Sequence, residues 1–172
     1  MKLAERLLAG SLIIVSVLVL AVVAIAGGRL RARLAAEQRD ELLRDARLVA
    51  SQWRGGVDAD ALADTAGRAL DYRVTLIGAD GTVLGDSQFD GAELRRLENH
   101  AARPEVVSAR AGTVGTATRF SASAGDEELY VAVRHDPLGF VRVSIGTRRF
   151  EQIVRGAQRD VLLAGGLALA GR

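Results

Sequence analysis

The sequence predicts an α+β chain: one small sheet domain with helices against it, and an apolar helical segment toward each end. Three features predict this. An uncharged run extends from Leu7 to Ala26, the hydrophobic period switches from helical to alternating near Val74, and a second uncharged apolar run extends from Val161 to Ala170.

Composition narrows the chemistry. The 172 residues contain no cysteine, so disulfides and thiolate metal sites are excluded. Of 23 basic residues, 22 are Arg, and the lone Lys2 stands far from any Gly-rich turn, which excludes a phosphate-binding P-loop. The net charge of +2 conceals a pattern. Residues 1–28 carry +1, 29–56 carry +3, 57–147 carry −5 and 148–172 carry +3. A nucleic-acid binder would concentrate its basic residues on the folded body. Here they lie in the two flanks of an acidic body, which suits anionic lipid headgroups and argues against nucleic acid as a partner.

Residues 1–28 are expected to be a cytoplasmic tip and a first transmembrane helix. Twenty uncharged residues, Leu7–Ala26, rising ~1.5 Å each, cover the ~30 Å hydrocarbon layer. A cleaved signal peptide is the rival, since Ala24-Ile25-Ala26 is similar to a cleavage site, but its apolar region is usually only ~7–15 residues. Charge does not fix the orientation, because Lys2 and Arg6 precede the run and Arg29, Arg31 and Arg33 follow it. Residues 29–56 read as a juxtamembrane helix continuing the span. Leu30, Leu34, Leu42, Ala46, Val49 and Trp53 recur at helical spacing and Gly55-Gly56 ends the run. That stripe suits packing on its own domain, and its upper part also suits pairing with a second copy.

Residues 57–147 are the expected sheet domain. Asp58 can cap a short helix that turns Ala59, Leu62, Ala63, Ala66 and Leu70 inward. Val74 and Leu76 mark a strand, Asp80-Gly81 a turn, and Thr82–Leu84 the return. Asp90 can cap a helix running through Glu98. Pro104 suits the first position of another, with Glu105 near its positive end and Gly112 as its stop. Strands are expected at 115–123, 127–134 and 140–145, with turns at Gly125-Asp126 and Pro137-Leu138-Gly139. The result is a five-stranded, mostly antiparallel sheet. Residues 148–172 return to helical spacing at Phe150, Ile153, Val154 and Ala157, and Val161–Ala170 covers only ~15 Å of a bilayer. They are expected to be a linker helix and the start of a second transmembrane helix belonging to a longer, two-span protein.

Several motifs suggest chemistry and fail on their partners. Gly85-Asp86-Ser87 matches a hydrolase nucleophile block, but neither His100 nor His135 has an Asp three places before it to form that family's base block. The Gly85–Ser87 segment therefore reads as a strand-end turn. His135-Asp136-Pro137-Leu138 looks like a phosphoacceptor box, yet its His ends a strand where such a box needs a long helix. His100 flanked by Glu98 and Glu105 is too few ligands for zinc. No catalytic residue and no metal site are assigned.

The outer sheet face is more informative. Tyr130, Ala132 and Arg134 alternate with a core set, and Phe140, Arg142 and Ser144 do the same on the next strand, with Arg119 from a neighbour. This face is either solvated or a shallow pocket in which Arg119, Arg134 and Arg142 hold a carboxylate or phosphate, with Tyr130 as wall and donor. The polar knot between the middle helices, Asn99, His100, Arg103 and Pro104, reads as a structural joint. Arg103 or Arg110 can pair there with Glu98 or Glu105, and the polar groups satisfy orphan helix ends.

The run RVTLIGADGTVLGDS, Arg73–Ser87, resembles the first hairpin of the extracytoplasmic sensor domains of bacterial histidine kinases. Glu98-Asn99-His100, Arg103-Pro104-Glu105-Val106, the run 112–119 and Leu129-Tyr130-Val131-Ala132 are similar to the phosphate-regulon-type branch. The resemblance implies a PAS-like fold of the Cache or PDC variety lying between two transmembrane helices in a bacterial inner membrane, with the central domain extracytoplasmic. It implies a homodimer, the lipid bilayer as partner, a transporter or accessory protein as a stimulus, and a cognate response regulator. ATP and Mg²⁺ are implied only for the kinase domain of the parent protein, and no cofactor for this chain. The same input unit also serves chemoreceptors and cyclic-dinucleotide enzymes, and a stand-alone membrane-anchored binding protein is the remaining reading.

Overall fold

The computed structural model describes residues 3–121 and 125–146. The expected linker helix and second transmembrane start, 148–172, and the end of the strand expected at 115–123 lie outside the described residues.

The first element is a helix, α1 (Leu3–Gln52). The chain divides into two units, one ending at Gln38 and the other beginning at Arg39. In the first unit α1 leaves Ile13, Ile14, Val17, Leu18, Val22 and Ile25 more than half exposed. A helix with an apolar surface on every side gains by burial in an apolar medium. Among the described residues it is the one helix long and apolar enough to cross a membrane.

The second unit contains the rest of α1 and the sheet domain. Elements follow as α2 (Ala59–Leu70), β1 (Arg73–Gly78), β2 (Val83–Asp86), α3 (Gly91–Leu94), α4 (Pro104–Gly112), β3 (Val114–Ser121), β4 (Asp126–His135) and β5 (Gly139–Gly146). The sheet order is β2-β1-β5-β4-β3, and all four pairings are antiparallel. This is the expected α+β, PAS-like arrangement, with the first hairpin set beside the last strand of the meander.

Alternation explains the two faces. Val74 and Leu76 of β1, Val131 and Val133 of β4, and Val141 and Val143 of β5 share one side, where the register sets Val131 against Val143 and Val133 against Val141. Leu42, Ala46 and Val49 of α1 and Trp53 just after it cover this side, with Ala63 and Ala66 of α2. Asp58 accepts hydrogen bonds from the amides of Asp60 (2.9 Å) and Ala61 (3.3 Å), satisfying two orphan donors at the start of α2. His135 closes the far end, its Nε2 lying 2.7 Å from the Trp53 carbonyl and its ring stacked on the indole at 5.9 Å.

The opposite side carries α4. Val106 and Ala109 pack on Ile77, Ala132 and Phe140. The close approach depends on Gly115, where a Cβ would collide with the carbonyl of Glu105 and lie 2.6 Å from the amide nitrogen of Ala109.

One helix differs from expectation. The segment expected to be helical from Asp90 through Glu98 forms a single turn, α3, and the Asp90 side chain makes no capping bond. The cause is tertiary. The amide of His100 donates to the Gly81 carbonyl (2.8 Å), and Asn99 Nδ2 donates to the Asp80 carbonyl (3.1 Å). The chain must leave the helical path early to reach that turn, and Leu97 alone offers an apolar anchor beyond Leu94.

Candidate functional site

The polar groups lie on the α4 side of the sheet. Arg73, Thr75, Arg142, Ser144 and Tyr130 alternate with the core residues of their strands, so period two places them together. The register confirms it, with Thr75 opposite Arg142, Arg73 opposite Ser144, and Tyr130 opposite Ser144.

A continuous chain of hydrogen bonds crosses this face. Arg119 on β3 donates from Nη2 to Glu105 Oε1 at 3.0 Å, and its Nε lies 3.5 Å from Oε2. Arg142 on β5 reaches the same Oε1 from Nη1 at 3.4 Å and donates from Nη2 to Thr75 Oγ1 at 3.0 Å. Thr75 donates to Asp86 Oδ2 at 2.8 Å. Asp86 in turn takes Arg73 in a forked pair, with Nη2 to Oδ2 at 2.9 Å and Nε to Oδ1 at 3.0 Å. Glu105, Asp86, Arg142 and Thr75 are all buried. Buried charges persist only when paired and hydrogen-bonded, and here each carboxylate has at least one guanidinium.

Tyr130 forms the floor. The Arg119 guanidinium lies 3.9 Å from its ring centroid and that of Arg142 lies 5.1 Å away, so two cations contact one aromatic ring. Burial raises the Tyr130 pKa. Burial also pushes the Glu105 carboxyl upward, but the Arg119 hydrogen bonds and the charges of Arg142 and Arg119 outweigh it and leave the pKa below its ordinary value. Burial and the neighbouring Arg73 charge lower the Arg142 pKa. His100 is buried among the cations Arg142, Arg103, Arg73 and Arg119; burial first and those charges second depress its pKa to about 3, so its ring is neutral.

Three of the four candidate ligand residues therefore come together: Arg119, Tyr130 and Arg142. Arg134 sits apart at the end of β4, its Nε donating to Asp136 at 2.8 Å and its Nη1 to the Arg110 carbonyl at 3.3 Å. At the joint, Asn99 and the His100 amide hold the Asp80-Gly81 turn, Arg103 pairs with Glu98 at 3.1 Å, and Pro104 opens α4. Glu105 pairs neither with Arg103 nor with Arg110; Arg110 donates to the Ala79 carbonyl instead.

The sequence reading missed Arg73, Thr75 and Asp86, and it did not foresee Glu105 as the centre of the cluster. Alternation in β1 carries a signal for Arg73 and Thr75. No local pattern marks Glu105, whose partners lie 14 and 37 positions away. Ser87, of the hydrolase-like block, accepts the Val74 amide at 3.0 Å, which is a strand-end role. No cluster of metal-ligating residues occurs among the described residues.

The chain matches no protein-family model and no curated protein. Its likenesses are to solved structures. The Bacillus subtilis YkuI protein, which has an EAL domain and was solved with its substrate c-di-GMP and calcium, superposes with a TM-score of 0.54 at 11% identity over 71% of this chain and 35% of that one. The ligand-binding domain of the Pseudomonas aeruginosa PAO1 amino acid chemoreceptor PctC, in complex with GABA, superposes at 0.53 with 16% identity over 67% of this chain and 58% of that one. The sensor domain of the V. cholerae histidine kinase DctB gives 0.48 at 18% identity over 54% of this chain and 38% of that one. The chain thus spans less than two thirds of each of these structures. At these identities YkuI and PctC establish a shared fold.

Proposed function

We propose that this chain is the signal-input region of a membrane-bound sensor, with the sheet domain outside the cytoplasm and α1 as its anchor. The supporting observation is the difference between the two faces of the sheet: one is wholly apolar, and the other carries a buried Arg-rich cluster beside the apolar contact of α4. The same sheet that carries the Arg119–Tyr130–Arg142 group packs, on its other side, on Leu42, Ala46 and Val49 of α1 and on Trp53 just after it. A change in occupancy on the polar side biases the packing on the helix side, to the extent that the stimulus binds the two states differently. A histidine-kinase output, as in the phosphate-regulon-type relatives the sequence resembles, is the reading we favour for the parent protein. The shared fold with a chemoreceptor domain and with an EAL-domain protein supports a chemoreceptor or cyclic-dinucleotide output as the second reading.

The absence of native cysteine makes a direct test available. Ser108→Cys, on the exposed side of α4, is expected to react with a membrane-impermeant maleimide in intact spheroplasts, whereas Ala4→Cys reacts only after permeabilisation. Labelling of Ser108→Cys that requires lysis would overturn the reading.

A further inference from the structure

We propose that the Arg119–Arg142 clamp is a binding site for a small aliphatic carboxylate, held closed in the free protein by the chain's own Glu105. The proposal rests on the sensory reading above and names the ligand class for its polar face.

Glu105 lies where a ligand would. Its carboxylate, carried by α4, is bound by guanidinium groups from two strands, β3 and β5, and both guanidinia lie over the Tyr130 ring. Two guanidinia that contact one ring and converge on one carboxylate oxygen make an anion cradle. The resident carboxylate also leaves the cradle incompletely used. Arg142 Nε and Ser144 Oγ, both buried, have no partner among the described residues, and neither does His100 Nδ1. Buried polar atoms without partners are costly, and a ligand that reaches them recovers that cost. The approach is from the Arg119 end: its side chain is 23% exposed, against 2% for Arg142 and 0% for Glu105.

Charge selects the class. Arg73 and Asp86 neutralise one another, which leaves Arg119 and Arg142 facing Glu105, with the buried Glu128 opposite Arg119 in register. A monocarboxylate replaces Glu105 like for like. A phosphate dianion would bring a second negative charge beside Glu128. Displacing Glu105 frees the first turn of α4, so binding is coupled to the position of that helix.

The test uses the full chain in lipid nanodiscs, with Ser108→Cys carrying an environment-sensitive dye and acetate, propionate and inorganic phosphate as probes. In this otherwise native background, propionate should give a saturable change that Arg119→Ala abolishes. Adding Glu105→Ala, which removes the competing carboxylate, should lower the half-saturating concentration of acetate and propionate at least tenfold. Glu105→Asp, too short to span both guanidinia, should lie between. If the Glu105 variants unfold, propionate should restore their folding as read by Trp53 fluorescence. The proposal fails if the native background shows no saturable carboxylate response, if the folded Glu105 variants bind no more tightly, if propionate does not restore unfolded ones, or if phosphate alone binds. Failure here with Ser108→Cys still labelled from outside would leave the sensory reading standing.

Discussion

Arg73 and Asp86 form a forked ion pair, 2.9 Å at its shortest, with side chains 4% and 0% exposed, and it joins β1 to the end of β2. Asp86 also accepts from Thr75 and from the amide of Gln88 (3.1 Å), so one carboxylate anchors two strands and the turn after them. Removing one member of such a pair leaves a buried charge without compensation. Asp86→Ala is therefore expected to cost about 3–5 kcal/mol, while Arg73→Met combined with Asp86→Leu recovers most of that loss. Urea unfolding in detergent micelles, read by the buried Trp53, the only tryptophan in the chain, checks both.

His100 makes the domain acid-sensitive in a defined window. In the folded state its pKa is about 3, against an ordinary 6.5, because burial and then the charges of Arg142, Arg103, Arg73 and Arg119 oppose its protonation. Below 6.5 the unfolded chain takes up a proton that the folded chain refuses. Stability is thus full above pH 6.5 and falls as the pH drops toward 3. The loss by pH 4.5 is about 2 kcal/mol after discounting for solvent screening. Glu105, whose folded pKa is depressed below 4.5, adds its own loss only at lower pH. His100→Gln is expected to flatten the unfolding midpoint between pH 6.5 and 4.5; an unchanged slope would count against the assignment.

Gly115 admits α4 to the sheet. Gly115→Ala places a methyl group against the Glu105 carbonyl and the Ala109 amide, both backbone, so the helix itself must move. The expected cost is about 1–3 kcal/mol, with faster tryptic cleavage at the exposed Arg110. Gly112→Ala, three residues earlier and with open space around its added carbon, is the control and should change neither.

Much of this architecture was legible before folding. The Asp58 cap, the Pro104 start of α4, the strand alternation and the grouping of Arg119, Tyr130 and Arg142 all follow from period, cap and turn chemistry, which are local. What was not legible is set by contacts across the chain. The helix after Asp90 stops early because Asn99 and the His100 amide are pulled to the Asp80-Gly81 turn. Arg134 has the same strand parity as Tyr130, but parity does not show that the end of β4 brings it to Asp136 instead of the cluster. Glu105 has the local signature of a helix-start acid, and only tertiary packing turns it toward two strands distant in sequence.

The separation of the sheet into an apolar side against α1 and a side beneath α4 that mixes apolar packing with the Arg-rich cluster also bears on how such a chain can diversify. On the sensory reading proposed above, substitutions around Tyr130 would change which molecule is recognised while the valines on the other face keep the scaffold intact. If that proposal holds, descendants of one ancestor would share the scaffold and differ in stimulus, and their sequences should diverge at Arg119, Arg142 and Glu105.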